Sequence, residues 1–308
     1  MSMIVIFGAA GFIGSHFVEF IISQTKFDKI VLIDKLTYAG NSIFLNEICQ
    51  NSRITFIEAD INDSEKYSQY IKDAQLAVNF AAESHVDRSI INPNVFIESN
   101  VQGVNSILQA CINMNVRKFV QVSTDEVYGS IIERKSIESD SLQPSSPYAA
   151  SKASGDLIVL AYWKTFNYKV NITRGANTYG PRQFPEKLIP LALKKLKNGE
   201  KVPIYGNGLQ IREWLHVLDH VEGIWQICER GEPGEVYNIG SGEYFNNLDV
   251  IRHIANSLNI QSKDYFEFVD DRLGHDQRYS LNLEKIEKSL GWKRKRSFVE
   301  EITKSPNW

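Results

Sequence analysis

The chain opens on Met3-Ile-Val-Ile-Phe7, then Gly8-Ala-Ala-Gly11-Phe-Ile-Gly14, then an apolar-periodic run to about Gln24. Five consecutive apolar residues read as a strand buried on both faces, the pattern of a parallel sheet. The glycines permit a tight turn and let a pyrophosphate reach backbone N–H groups at the start of the following helix. The spacing is G-x-x-G-x-x-G, not the commoner G-x-G-x-x-G. Gly8, Gly11 and Gly14 therefore carry weight through their strand–turn–helix setting rather than through glycine alone. A second strand, Ile30–Ile33, ends at Asp34. A carboxylate there binds an adenosine ribose and repels a 2′-phosphate, which favours NAD over NADP; Lys35 beside it works against that preference.

Further apolar runs follow at Ile54–Ile57, Leu76–Phe80, Lys118–Val122 and Val170–Thr173, separated by helical patterns near 64–71, 95–114 and 148–166. This alternation predicts an α/β fold, a Rossmann-type doubly wound parallel sheet. Asp60 and Ile61 follow the third strand, where an adenine would lie. Ala81 and Ala82 follow the fourth and are small enough for close approach of a cofactor. Glu83–Arg88 reads as a polar loop facing the same cleft, and Asn100 is polar within the long 95–114 helix. Beyond residue 174 the regularity weakens. The expected division is a dinucleotide-binding domain over 1–174 and a smaller mixed α/β substrate region over 175–308, with chain around 210–240 returning to the main sheet. The later pieces expected are helices at 184–197, 217–230, 247–258 and 282–290, strand-like segments at 202–205 and 210–214 around a Gly-Asn-Gly turn, and a strand at 235–239.

Thr124, Asp125 and Glu126 emerge from the fifth strand, at the sheet edge where open α/β folds bind ligands. Tyr148 and Lys152 stand four apart at the start of a helix opened by Pro147, so they share a face. A Lys ammonium near a phenol favours the phenolate, and adjacent Asp and Glu offer an acid–base pair. An Asp-Glu pair at a strand end is often solvated loop, and Tyr-x-x-x-Lys often arises by chance. Their order along one chain is what raises them above that.

At 308 residues, 43% hydrophobic and 23% charged, with net charge −3, the composition offers no basic field for nucleic acid or a membrane surface. The Lys293–Arg296 cluster reads as a surface turn. Three widely spaced cysteines, Cys49, Cys111 and Cys228, fit reduced thiols in a cytoplasmic setting. No apolar run reaches membrane-spanning length, and the first strand begins too early to leave room for a signal peptide. His216 and His220 stand four apart but lack further ligands, so they read as packing residues and no metal is expected.

Taken together, these parts resemble the extended short-chain dehydrogenase/reductase superfamily, and within it the dTDP-glucose 4,6-dehydratases. The stretches that carry the resemblance are D-K-L-T-Y-A-G-N (34–41), F-A-A-E-S-H-V-D-R-S-I (80–90), S-T-D-E-V-Y-G (123–129), P-Y-A-A-S-K-A-S (147–154), F-P-E-K-L-I-P (184–190), Y-G-N-G-L-Q-I-R-E-W (205–214) and G-H-D-Q-R-Y (274–279). They span nearly the whole chain. The resemblance implies NAD as a bound catalyst that is reduced and reoxidised within each turnover. It implies that Tyr148 deprotonates the glucose 4-hydroxyl while a hydride leaves C4, that Lys152 binds the nicotinamide ribose and lowers the Tyr148 pKa, and that Thr124 aligns the two oxygens. Glu126 would then take the C5 proton and Asp125 would protonate the departing C6 hydroxyl. Phe12, Ile13, Lys35 and Thr37 are implied as further cofactor contacts. Glu83, Ser84, Asn177, Glu186, Lys187, Leu188, Tyr205, Arg212, Asn247, His275 and Tyr279 are implied around the nucleotide sugar.

Gly175, Ala176, Thr178 and Arg182 depart from the usual family pattern, which leaves UDP-glucose beside dTDP-glucose as the substrate. Asp125 and Glu126 argue against a sugar-nucleotide 4-epimerase, which eliminates no water. The complete catalytic set argues against an inactive NAD sensor. The long helices near 95–114 and 148–166 imply a homodimer, and the chain's end at Ser305–Trp308 leads us to expect a partly open final surface.

Overall fold

The computed structural model describes residues 2–38, 40, 42–262 and 264–304. Ala39 and Asn41 of the 34–41 stretch, and Ser305–Trp308, lie outside the described residues. The strands are β1 (Met3–Phe7), β2 (Lys29–Asp34), β3 (Ile54–Glu58), β4 (Leu76–Asn79), β5 (Phe119–Thr124), β6 (Val170–Gly175), β7 (Asn177–Tyr179), β8 (Val202–Tyr205), β9 (Ile211–His216), β10 (Val236–Ile239), β11 (Tyr244–Asn246) and β12 (Phe266–Val269). Among the described residues, seven form one parallel sheet in the order β10-β6-β5-β4-β1-β2-β3. The order reverses between β1 and β4, and the crevice at that switch point is where such sheets receive ligands.

The uninterrupted apolar runs have a direct cause. Successive strand residues point to opposite faces, and both faces are covered. Ile4 and Ile6 of β1 pack into one core with Phe17, Val18 and Ile21 of the first helix (Phe12–Gln24), while Val5 and Phe7 pack into the other with Tyr67 and Ile107. The helix Val217–Arg230 puts Val221, Ile224 and Ile227 into the first of these cores, and β10 pairs with β6, so this late stretch joins the main sheet. Lys118 Nζ donates to the carbonyls of Ile227, Cys228 and Gly231 at 3.0–3.3 Å, adding a cationic donor at a helix end where Gly231 N also bonds Ile227 O. A third core, under the small sheets, gathers Tyr179, Trp214, Ile251 and Phe298.

Several expectations are corrected. Glu83–Arg88 is not all loop: a helix runs over Val86–Ile91. The long helix runs without a break over Pro93–Asn113 but widens to a π turn at Glu98–Gln102, which contains Asn100. The 184–197 helix begins only at Leu188, because Lys187 stays extended. The two strand-like segments around Gly206-Asn-Gly208 form as expected, in different sheets. β8 pairs with β12, and β9 lies between β7 and β11. Gly206 and Gly208 both have left-handed φ (+57° and +70°) and turn the chain out of one sheet into the other. Strands β7, β11 and β12 and the helix Phe298–Lys304 were not foreseen.

Candidate active site

The glycine turn is built by close packing. A Cβ on Gly8 would lie 2.4 Å from the Ala81 nitrogen, and one on Gly14 would lie 2.1 Å from the Gly8 oxygen. Gly11 differs. Its nearest protein atom would be at 3.4 Å, so the space beside it opens to the cleft, where a ligand can approach the backbone. Gly11 caps the Phe12–Gln24 helix without a side-chain acceptor. The first helical N–H groups therefore face the cleft as anion donors. Asp34 ties this turn to the end of β2: its Oδ2 accepts from Ala10 N and its Oδ1 from Leu36 N, both at 2.9 Å. Burial pushes its carboxyl up, against those two donors. The residues present thus fit a dinucleotide, with the Asp34 carboxyl lining the cavity beside the turn.

Three adjoining cavities form one cleft above the carboxyl ends of the strands. The first is lined by Gly8, Asp34, Lys35, Thr37, Ile61 and Ala81 among others. The second shares Gly8, Gly11 and Ala82 with it and adds Phe12, Ile13, Gly14, Tyr148 and Lys152. The third shares Ser84, Glu186 and Lys187 with the second. It reaches Glu126, Asn177, Leu188, Tyr205, Arg212, Asn247, His275 and Tyr279. Glu83 lines the first cavity.

Two expected cofactor contacts stand elsewhere. Asp60 pairs with Lys35 at 3.2 Å and accepts from Asn62 N, while its neighbours Ala59 and Ile61 form the wall. Asn100 is buried behind the wall. Its Oδ1 accepts from Glu83 N, and its Nδ2 donates to Glu83 O and Ser151 Oγ, all at 2.9 Å. It spends its hydrogen bonds joining the Glu83 loop to the Tyr148 helix.

Thr124 is the last residue of β5, and Asp125–Tyr128 form a 3₁₀ turn capped by the Thr124 Oγ1, which accepts from Glu126 N at 3.3 Å. The two carboxyls then meet different surroundings. Asp125 is buried; Thr124 Oγ1 donates to its Oδ1 at 3.2 Å, and its Oδ2 has no partner. Burial pushes Asp125 well above the usual carboxylate range, with the charges of Glu126 and Glu213 adding to it and Arg212 opposing. Glu126 is half-buried at the cleft; burial raises it too, but Arg212, Arg272 and Lys187 all oppose. Two adjacent carboxyls held unequally in this way can serve as acid and base together.

The helix Pro147–Phe166 begins with a Ser146 cap, whose Oγ accepts from Ala149 N, and presents Tyr148 and Lys152 on one buried face. The expected lowering of the Tyr148 pKa by Lys152 is not what the structure shows. Lys152 Nζ donates to the Val122 carbonyl at 2.7 Å, and burial lowers its pKa to about 8. The Tyr148 phenol is pushed up by burial and by Glu126, and eased by Thr124.

In the outer cavity, the Arg212 guanidinium lies 4.4 Å from the Tyr279 ring centroid and is steadied by its Nη2 bond to Asp276 O at 2.9 Å. His220 hydrogen-bonds Thr178 Oγ1 at 2.8 Å, and His216 accepts from Leu218 N; burial lowers both imidazoles to about 4. Among the described residues, no group of three or more His, Cys, Asp and Glu could hold a metal ion.

The profile of a family described as GDP-mannose 4,6 dehydratase matches residues 5–305. A dTDP-glucose 4,6-dehydratase of Streptomyces antibioticus is 43% identical over 306 residues, covering 98% of this chain and 90% of that protein. The chain belongs to the nucleotide-sugar 4,6-dehydratases. Another relative, the low-salt glycan biosynthesis protein Agl12 of Haloferax volcanii, is 44% identical over 97% of this chain and 96% of its own. Among solved structures, the dTDP-glucose 4,6-dehydratase DesIV of Streptomyces venezuelae, with NAD and dTDP bound, superposes with a TM-score of 0.97 at 42% identity, covering 99% of this chain and 96% of that one.

In this 4,6-dehydratase Ser123, Tyr38 and Arg272 also line the cleft, and so does Arg182, which the sequence marks only as a departure from the family pattern. Arg272 had a signal. It is a cation just before Gly274-His275, beside the 274–279 motif. Tyr38 and Ser123 lie inside the 34–41 and 123–129 stretches, whereas the place of Arg182 at the cleft depends on contacts between distant elements.

Proposed function

We infer that this chain converts dTDP-glucose to dTDP-4-keto-6-deoxyglucose and water. In this reading Tyr148, aligned by Thr124, takes the 4-hydroxyl proton as C4 is oxidised. The ketone acidifies the C5 proton, because its carbanion is an enolate. Glu126 removes that proton, Asp125 protonates the C6 hydroxyl, and water leaves. NAD, when bound along the glycine turn, supplies the reversible two-electron acceptor that joins oxidation at C4 to reduction at C6. Asp34 would hold its ribose, and Lys152 would hold the ribose at the nicotinamide end. Arg212, with Arg272, suits the substrate diphosphate by its planar fork.

The observation that carries the reading is the unequal setting of Asp125 and Glu126, one carboxyl buried with a free oxygen and the other facing three cations. We divide the chain near residue 174 into an NAD-binding region that also carries the catalytic residues and a nucleotide-sugar-binding region after it. The test is mass spectrometry of the products from dTDP-glucose and, separately, UDP-glucose, without added cofactor. Loss of one water, faster with dTDP-glucose, is the expected outcome. Conversion to a galactose isomer at unchanged mass would make the chain an epimerase.

We also propose a cytoplasmic homodimer. Among the described residues, no helix is long and apolar enough to cross a membrane, and the three cysteines are unpaired. Ile112 and Leu157 are exposed on two helices that pack together, and Phe166 is exposed on the second. Apolar side chains there suit burial against a second copy. Leu157→Arg with Phe166→Arg should shift sedimentation from dimer to monomer; an unchanged dimer would place the interface elsewhere.

A further inference from the structure

The segment Arg182–Lys187 walls the cavity above the glycine turn, opposite Gly11, Phe12 and Ile13. Its far end is held by several contacts. Phe184 meets the Tyr38 ring edge-on at 5.2 Å, Arg88 stacks 3.7 Å over Tyr38 and donates to Glu186 Oε2 at 2.9 Å, and Lys187 Nζ donates to Ser84 O at 2.9 Å. Its near end is held by Arg182. The Arg182 Nη1 and Nη2 donate to Oε1 and Oε2 of Glu19 on the first helix at 2.8 and 2.7 Å, and the guanidinium lies 4.8 Å over the Phe44 ring. The Arg182 hydrogen bonds keep the Glu19 carboxyl below its ordinary range, so the pair stays charged at neutral pH. The Arg182 backbone is left-handed, with φ +65°. A non-glycine residue holds that conformation at a cost, and does so where its surroundings impose it.

We propose that the Arg182–Glu19 pair is a latch that holds the 182–187 strap over the cofactor cavity and slows the release of NAD, so that Arg182 acts as a cofactor-retaining residue through the strap. Three features carry this. The strap supplies five of the residues that line the cavity above the glycine turn, so its position bears on how a dinucleotide held there is released. The pair is bidentate, the geometry in which an arginine–carboxylate contact is strongest. Glu19 lies outside the cleft lining, so its effect on the cofactor runs through Arg182. The pair is partly exposed, so its influence is moderate and screened by salt.

The inference rests on NAD being the cofactor and is tested on the full-length holoprotein. Protein loaded with NAD is freed of excess, and released NAD is followed with time in the wild type, Glu19→Gln, Arg182→Ala and the double variant. Each single variant should release NAD about fivefold faster, the upper range for a surface ion pair. The double variant should be no faster than either single one, since both remove one interaction. Raising the salt should speed release from the wild type and leave the variants unchanged. Fast release from Arg182→Ala with wild-type release from Glu19→Gln would overturn the latch, making Arg182 a direct cofactor contact. Unchanged release from both would also overturn it. Wild-type protein that takes up no NAD at all would sink the cofactor assignment and the latch with it.

Discussion

Asp125→Asn should lower turnover by roughly a hundred- to ten-thousandfold, the usual reach of general acid–base catalysis, without destabilising the protein at neutral pH. The two halves of that expectation share one cause. The Asp125 carboxyl is buried, its Oδ2 has no partner, and burial, Glu126 and Glu213 hold its pKa well above the ordinary value. A carboxyl held there keeps its proton in the folded state and loses it on unfolding, since the unfolded chain ionises at about pH 3.9. Above that value the folded state binds more protons than the unfolded one. Stability therefore falls as pH rises, until the pH passes the folded pKa. Asparagine has nearly the same shape and no proton to give. It abolishes both the acid and the slope, and denaturant melts from pH 5 to pH 8 should be flatter for the variant, with stability at pH 7 equal to or above the wild type. Turnover within tenfold of wild type would mean that another group protonates the leaving hydroxyl. A marked loss of stability at pH 7 would mean that Asp125 is ionised and paired in the folded protein.

What could be read ahead of the structure follows a physical division. The strands of the main sheet and the helices Pro147–Phe166 and Val217–Arg230 were legible because each is signalled locally. Strands covered on both faces become apolar runs, and Pro147 marks a helix start that the Ser146 cap confirms. The small sheets were not legible in the same way. β7 is three residues long and owes its strand state to β9, more than thirty residues on; β12 owes its own to β8, more than sixty residues back. The site shows the same limit. Thr124, Asp125, Glu126, Tyr148 and Lys152 were found by type and order, but their surroundings were not. That Asp125 lacks a partner while Glu126 faces Arg212, Arg272 and Lys187 depends on residues up to about 150 positions away. Asn100 was noticed as a polar residue in a helix, yet its partners Glu83 and Ser151 turn it into a brace. Lys152 was paired in expectation with Tyr148, its helical neighbour. Its ammonium instead meets the Val122 carbonyl at the end of β5, because that is the acceptor the packed helix brings within reach.

Glu126→Gln should stop the reaction part-way, and that is what separates it from a loss at Tyr148. Glutamine keeps the shape and the hydrogen-bonding oxygen but is no base at neutral pH. Oxidation at C4 needs Tyr148 and Thr124, which the substitution leaves in place. On mixing with dTDP-glucose, absorbance of reduced nicotinamide should rise and persist, overall turnover should fall by roughly a hundred- to ten-thousandfold, and solvent deuterium should not enter C5. Tyr148→Phe should suppress the absorbance rise itself, because the 4-hydroxyl proton then has no acceptor. Identical overall rates for the two variants would still be told apart by this reading, since one fails after oxidation and the other before it. The charges around Glu126 sharpen the expectation. Burial raises the Glu126 pKa while Arg212, Arg272 and Lys187 oppose it, so the wild-type base should protonate as pH falls. The acid limb of the elimination step should therefore report Glu126 and be missing from what activity the variant retains. Full turnover by Glu126→Gln would remove Glu126 as the base, and an acid limb unchanged in the variant would assign that limb to another group.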